Sequence, residues 1–240
     1  RRLARDLAET AWADRERFTR QLTPLTDAVA LAKRADRDPV IFSDAGDNPG
    51  GGGSGRTTEL LAALIEAGAE GVLYGSFFQP DIAQAAHRAG VGATLEVTFN
   101  RDGSNAFDRQ LTVTAEVLAL GDGDVIGRLG LYAGRRLLLG PSAALRIGGI
   151  TVVVISARAQ TADPMFFEML GLDIAAARTV VVKSRGHFRA GFLPWFTPDR
   201  VFEVDTTGLT SPVLERFDWQ GLPRPVYPLD RETVWQPPDW

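Results

Sequence analysis

Apolar residues near the start of the chain recur every three to four positions. Leu3, Leu7, Ala11 and Trp12 share one stripe, which predicts a helix to about residue 20. A second short helix is expected in "TPLTDAVALAKRAD", with Thr26 as its N-cap. The period then changes. "DPVIFSD" is a short apolar run that reads as a strand buried on both faces. A glycine-rich stretch leads from it into the helix "TTELLAALIEAG", closed by Gly68. "GVLYGSF" is the next strand. "QPDIAQAAHRAG" is a helix with Pro80 near its start and Gly90 at its end. Alternating strands and helices predict a parallel α/β layer.

The middle of the chain breaks that alternation. "GATLEVTFN", "LTVTAEVLALGDG", "RRLLLG" and "AALRIGG" are alternating or β-rich and are separated by turn residues. They predict an antiparallel insert over about residues 93–147. After it, "ITVVVISARAQ" and "TVVVKS" read as buried strands, "DPMFFEMLGLDIAAAR" and "GHFRAGFLPWF" as helices, and "RVFEVDT" as the last strand. The Pro-rich tail "LPRPVYPLDRETVWQPPDW" is expected to wrap the surface with its aromatics, Trp235 and Trp240 among them, as anchors. The expected fold is α/β: a mostly parallel sheet flanked by helices, with the antiparallel insert in the middle. Residues 1–36 are expected to form a helical connector and residues 37–240 the α/β domain.

Composition narrows the function. A chain of 240 residues, 45% apolar, can bury a core without staples. Its net charge of −4 and lack of a long basic run argue against a nucleic-acid partner. No apolar run approaches the roughly 20 residues of a membrane span. The absence of cysteine removes disulfides, thiolate metal sites and cysteine nucleophiles. The chain opens inside an amphipathic helix, without Met or a signal-peptide pattern, and is expected to be a fragment or processed product with a cytoplasmic location.

Two motifs carry candidate chemistry. The first is "SDAGDNPGGGGSGRTTELL", residues 43–61, a strand-to-helix turn with four consecutive glycines. Glycine permits close backbone approach, and successive N–H groups ahead of a helix N-terminus can cradle an anion or a polar substrate group. The turn lacks the Gly-Lys-Ser/Thr of a phosphate loop, and Arg56 does not fill the lysine's place. Asp44 and Asp47 oppose a phosphate. They suit a metal, a cationic group, or capping of the loop's own N–H groups. The second motif is "VVVKSRGHF", in which a buried strand ends in Lys183 and Ser184 and His187 follows at the mouth of a helix. Ligands bind at the carboxyl ends of parallel strands, so both motifs are expected to face one crevice. Taken alone, Lys183 reads equally as a solvated charge and His187 as a capping or core histidine. His87 reads as a surface residue. Two distant histidines and no cysteine make a complete zinc site on this chain improbable, and "GGSGR" lacks the spacing of a nucleophile elbow.

Together and in this order, "DNPGGG", "AGVGATL", "VVVKSRGHFRAGF" and "RPVYPLD" resemble the C-terminal domain of microcystinase C-like proteins, from about Pro39 onward. The resemblance implies one part of a zinc-dependent peptidase that cuts amide bonds in peptides. It places the metal ligands on a preceding N-terminal domain, with residues 1–36 as the connector, so zinc is expected for the full-length protein and no metal on this chain. It implies a peptide-like or small amide substrate and a possible homo-oligomer. The residues that carry over as cleft or substrate groups are Asp47, Asn48, Gly50, Gly51, Gly52, Lys183, Ser184 and His187, with Lys183 and His187 as catalytic candidates. Two positions depart from the pattern. Arg56 stands where an acidic residue is common, which changes the charge at the loop, and Thr207 stands where proline is usual. Three roles are expected to be distinguishable. A domain of a larger hydrolase, inactive by itself, exposes an apolar docking face. A stand-alone small-molecule or anion-binding module has a closed pocket at the glycines. A structural or dimerisation domain satisfies Lys183 and His187 internally.

Overall fold

The computed structural model describes every residue except 35, 104, 237, 239 and 240, so the anchoring role expected of Trp240 lies outside the described residues. The chain forms two compact units, one of residues 1–21 with 212–240 and one of residues 22–211. The units divide after residue 21 and again after residue 211.

In the smaller unit, α1 (Arg2–Ala13) is shorter than its apolar stripe predicts. The Arg15 guanidinium folds back over the Trp12 ring and donates to the Trp12 carbonyl, and a 3₁₀ turn, Arg15–Phe18, follows. Trp12 meets Tyr227 edge-on at 5.7 Å and Trp235 at 6.3 Å, so the tail's aromatics do act as anchors.

The larger unit contains α2 (Leu25–Lys33), β1 (Val40–Asp44), α3 (Glu59–Glu66), β2 (Val72–Phe78), α4 (Pro80–Ala89), β3 (Thr94–Phe99) and β4 (Leu111–Gly121). It continues with β5 (Asp124–Ile126), β6 (Arg136–Leu138), β7 (Ser142–Ile147), β8 (Ile150–Ile155), α5 (Met165–Glu168), β9 (Thr179–Val182), α6 (Phe188–Phe192) and β10 (Val201–Val204). Thr26 lies inside α2 rather than capping it; Pro24 holds the N-cap, and the Thr26 hydroxyl turns to Asp27. The helix expected over residues 163–178 shrinks to α5. Gly171 leaves the helical region at φ +71, and Asp173 takes the Ala175 N–H into a local turn.

Eight strands form one mixed sheet in the order β10-β1-β9-β2-β8-β7-β4-β3. The pairs from β10 to β8 are parallel and the pairs from β8 to β3 are antiparallel. The insert therefore extends the parallel sheet through the β7–β8 hairpin instead of forming a layer of its own, while β5 and β6 make a separate two-stranded ribbon. Alternate residues of the parallel strands feed two cores. Phe42, Val181, Tyr74 and Val152 pack with Ala28 of α2, Leu60 and Leu64 of α3, and Ile82 of α4. Ile41, Val180, Leu73 and Val153 pack with Phe166 and Phe167 of α5 and Phe188 and Phe192 of α6. Five parallel strands thus deliver their carboxyl ends to a single edge of the sheet.

Candidate functional site

At that edge the β1–β9 register pairs Ser43 with Val182, so Lys183 emerges one step on, beside Asp44. Its side chain is 0% exposed. The ammonium has three N–H bonds, and three good acceptors meet them: Asp44 Oδ2 at 2.8 Å, Asp47 Oδ2 at 2.9 Å and the Thr57 carbonyl at 2.8 Å. The Phe77 ring lies under it, 4.4 Å from its centroid. The carboxylates are saturated from other sides as well. Tyr74 Oη and Thr206 Oγ1 each donate to Asp44 at 2.7 Å. Gly55 N, Thr57 N and the Thr57 and Ser54 hydroxyls donate to Asp47. Burial disfavours the charged Lys183, but Asp44 and Asp47 outweigh it and raise its pKa above the ordinary lysine value. Burial likewise works against the Asp47 anion, and Lys183 with the two backbone N–H groups overcomes it and lowers its pKa. Burial and the Asp44 charge drive the Tyr74 phenol well above its usual range. Lys183 is therefore neither a solvated charge nor open to a substrate.

The glycine loop is a folded turn rather than an open cradle. Asn48 Oδ1 accepts from Gly50 N, the Asn48 carbonyl accepts from Gly51 N and Gly53 N, and the Pro49 carbonyl accepts from Gly52 N. With Gly55 N on Asp47, the N–H groups expected to meet an anion are used inside the loop. Of the options open to Asp47, capping the loop and meeting a cation are both realised, and the cation is Lys183. Gly53 is required because a Cβ there would lie 2.7 Å from the Asn48 backbone nitrogen, and Gly52 because it sits at φ +99.

His187 and the exposed glycines meet around a residue that the sequence reading missed. Buried Gln160, beyond the end of β8, donates from Nε2 to Ser184 Oγ at 2.8 Å, which turns Oε1 toward His187 Nδ1 at 3.1 Å. Where Nδ1 donates to Oε1, a neutral ring keeps Nε2 as an acceptor. The same Oε1 packs against Gly50, where an added Cβ would come within 2.3 Å of it. The Ser43 hydroxyl donates to the Ser184 carbonyl and ties β1 to β9. The edge thus unites Asp47, Asn48, Gly50, Gly51, Gly52, Lys183, Ser184 and His187, but in two layers. Asp47, Lys183 and Ser184 are buried; Gly50, Gly51, Gly52 and His187 are exposed, with Asn48 half-buried. A polar residue following a buried parallel strand, as in "SARAQTADP", is the signal that could have found Gln160. Tyr74, Thr57 and Thr206 had no such signal, since each looks like an ordinary strand or loop residue. His87 is on the surface of α4, its Nε2 3.0 Å from the Ser142 carbonyl oxygen.

These residues do not fit a metal. The Lys183 ammonium occupies the place between Asp44 and Asp47 that a cation would take, and the described residues hold no group of three His, Cys, Asp or Glu side chains suited to one. No described helix is long and apolar enough to cross a membrane.

Comparison with known proteins finds relatives of both sequence and structure. The family described as "MlrC C-terminus" matches residues 42–221. Microcystinase C from Sphingomonas sp. is 32% identical over 164 residues, which are 68% of this chain and 32% of that protein. A crystal structure of a protein from Mesorhizobium sp. BNC1, named as a candidate metallopeptidase, superposes with a TM-score of 0.80 at 28% identity, over 97% of this chain and 46% of the other. The chain spans about a third of the curated relative and just under half of the solved one.

Proposed function

The chain belongs to the MlrC C-terminus family, and from that premise we propose that it is the C-terminal domain of a cytoplasmic, metal-dependent amide hydrolase acting on peptide-like substrates. In this reading the metal, zinc by the resemblance, is held by a domain outside the chain. The exposed edge of Gly50, Gly51, Gly52 and His187 forms one wall of the cleft between the two. The observation that carries the reading is the layering of the sheet edge. A fully buried Lys183–Asp44–Asp47 cluster fixes the loop, while exposed His187 is held by Gln160 at the surface. A rigid support beneath a substrate-facing group is what orientation in a cleft requires. His187 accepts from a substrate N–H in this role and orients the amide; it is a positioning residue. Exposed Leu3, Leu7 and Phe18 in the smaller unit support docking of a preceding domain, as an apolar face that such a domain would cover.

The test is His187→Ala and His187→Gln in the complete protein that carries this domain. Peptide hydrolysis should fall by about 10²-fold in kcat/KM, with metal content and melting temperature unchanged. Partial rescue is expected from Gln, which keeps an acceptor. Parent-like kinetics in both variants would contradict the reading.

A further inference from the structure

A cavity of about 460 Å³ opens beside the glycine loop and is lined by Arg56, Phe78, Pro80, Asp81, Arg101 and Asp102. Phe78 N donates to the Gly55 carbonyl, so the cavity and the loop share a wall. Asp81 and Arg101, one of each sign, stand on its sides. Arg56 is the residue built into it. Its side chain is only 13% exposed, and one edge of the guanidinium is fixed from behind: Nε donates to Asn100 Oδ1 at 3.2 Å and lies 3.9 Å from the buried Asp108 carboxylate. Asn100 is itself fully buried and held by Gln79 Nε2 at 2.7 Å. Its side-chain amide also donates to the Arg56 and Arg109 carbonyls. Among the described residues Asn100 is the non-glycine residue at positive φ, at +57. Asparagine tolerates that region, and here it turns the chain at the end of β3.

The other edge of the guanidinium behaves differently. Nη1 and Nη2 make a two-pronged contact with Asp102, whose side chain is 63% exposed. The fork of Arg matches a carboxylate in geometry and charge. Asp102 itself stands in water, and another carboxylate in its place leaves the guanidinium paired. A buried framework thus presents a carboxylate receptor, and what fills it is an exposed carboxylate of the chain.

We propose that Arg56 is a specificity residue for an anionic, carboxylate-bearing group of the substrate, and that Asp102 holds its place until the substrate arrives. The inference rests on the reading that this sheet edge faces the cleft. It adds the substrate class: peptides or amides with a free carboxylate near the bond to be cut. Asp102 then gates the pocket by leaving Arg56 when the substrate carboxylate binds.

The experiment uses the 240-residue chain and needs no catalysis. N-Acetylglycine, with N-acetylglycinamide as the neutral control, is titrated against ¹⁵N-labelled chain, and the backbone amides of Phe78, Asp81 and Arg101 are followed. N-Acetylglycine should give a saturable shift that its amide does not. Asp102→Asn should tighten that binding by about threefold to fivefold, because an exposed competitor is removed. Arg56→Gln should abolish it. If Arg56→Gln fails to fold, the exposed Asp102→Asn variant alone decides. Equal shifts from acid and amide, or unchanged affinity in Asp102→Asn, would overturn the proposal. The cleft reading fails separately. Parent-like kinetics of the His187 variants beside intact N-acetylglycine binding would remove the cleft and leave a carboxylate pocket, whereas loss of binding with impaired His187 variants would do the reverse.

Discussion

Two ionic clusters sit on either side of the glycine loop. Lys183 with Asp44 and Asp47 is dry, and every N–H of the ammonium has a partner. Arg56 with Asp102 and Asp108 is dry on one edge and wet on the other. The residue types are nearly the same, and desolvation separates their roles. A buried ion pair has already met the cost of leaving water, and breaking it strands a charge, so it acts as a fastening. A half-exposed pair exchanges partners readily, so it suits recognition. The glycines between them are folded tightly because the buried cluster holds Asp47, and Asp47 holds Gly55 and Thr57.

The comparison breaks most visibly at Lys183. Lys183→Met removes the cation and leaves two buried carboxylates unpaired, and should cost about 3–5 kcal/mol in urea unfolding. The pH dependence follows in sign. Asp47 has a lowered pKa, so its contribution is present above the unfolded value of about 4 and is lost as pH falls through the lower folded one. Lys183 has a raised pKa, so its contribution is complete below about 10.4 and is lost as pH rises through the higher folded one. The contribution of this cluster should therefore be flat between these limits. In Lys183→Met this acid limb should shrink or reverse, since burial then raises the Asp47 pKa without its main partner and protonation relieves the buried charge as pH falls. A variant with unchanged stability and an unchanged acid limb would place the fastening elsewhere.

A middle-sized effect is expected inside the loop. Gly53→Ala drives a Cβ into the Asn48 backbone, which cannot swing away, and should cost about 1–3 kcal/mol. Gly51→Ala meets side chains, the Thr210 methyl at 3.1 Å and Asn48 Nδ2 at 3.4 Å, and should cost less. Thermal unfolding of the two variants sharpens the view of a folded turn, and equal melting temperatures would argue for a loose one. The smallest effect belongs to Asp102→Asn, which should change stability by less than about 0.5 kcal/mol. A loss as large as that of Lys183→Met would erase the distinction between the clusters.

Much of the fold was legible in the chain. The runs "PVIF" and "TVVV" announced buried parallel strands because β-branched and aromatic residues fill both faces there. Strand-end placement of Asp44, Asp47, Lys183 and His187 followed from the same logic. The continuity of the sheet was not legible, because the pairing of β4 with β7 is a long-range contact that no local pattern encodes. The layering of the edge was hidden for a similar reason. Whether a lysine at a strand end turns inward depends on acceptors from distant segments: Asp44, Asp47 and Thr57, with Tyr74 and Thr206 behind them. Arg56 gave a sign of its own in departing from the usual charge after the glycines, but its partners Asn100 and Asp102 are more than forty residues away.

Lys183 is a buried fastening of the sheet edge. The chain has two lysines, Lys33, exposed on α2, and Lys183. Modification of the native protein with an amine-reactive acetylating reagent, read by mass spectrometry across a urea series, measures the accessibility of each. The account predicts that Lys33 reacts at once and that Lys183 stays unmodified until the chain unfolds globally. Modification of Lys183 at the rate of Lys33 under native conditions would contradict it.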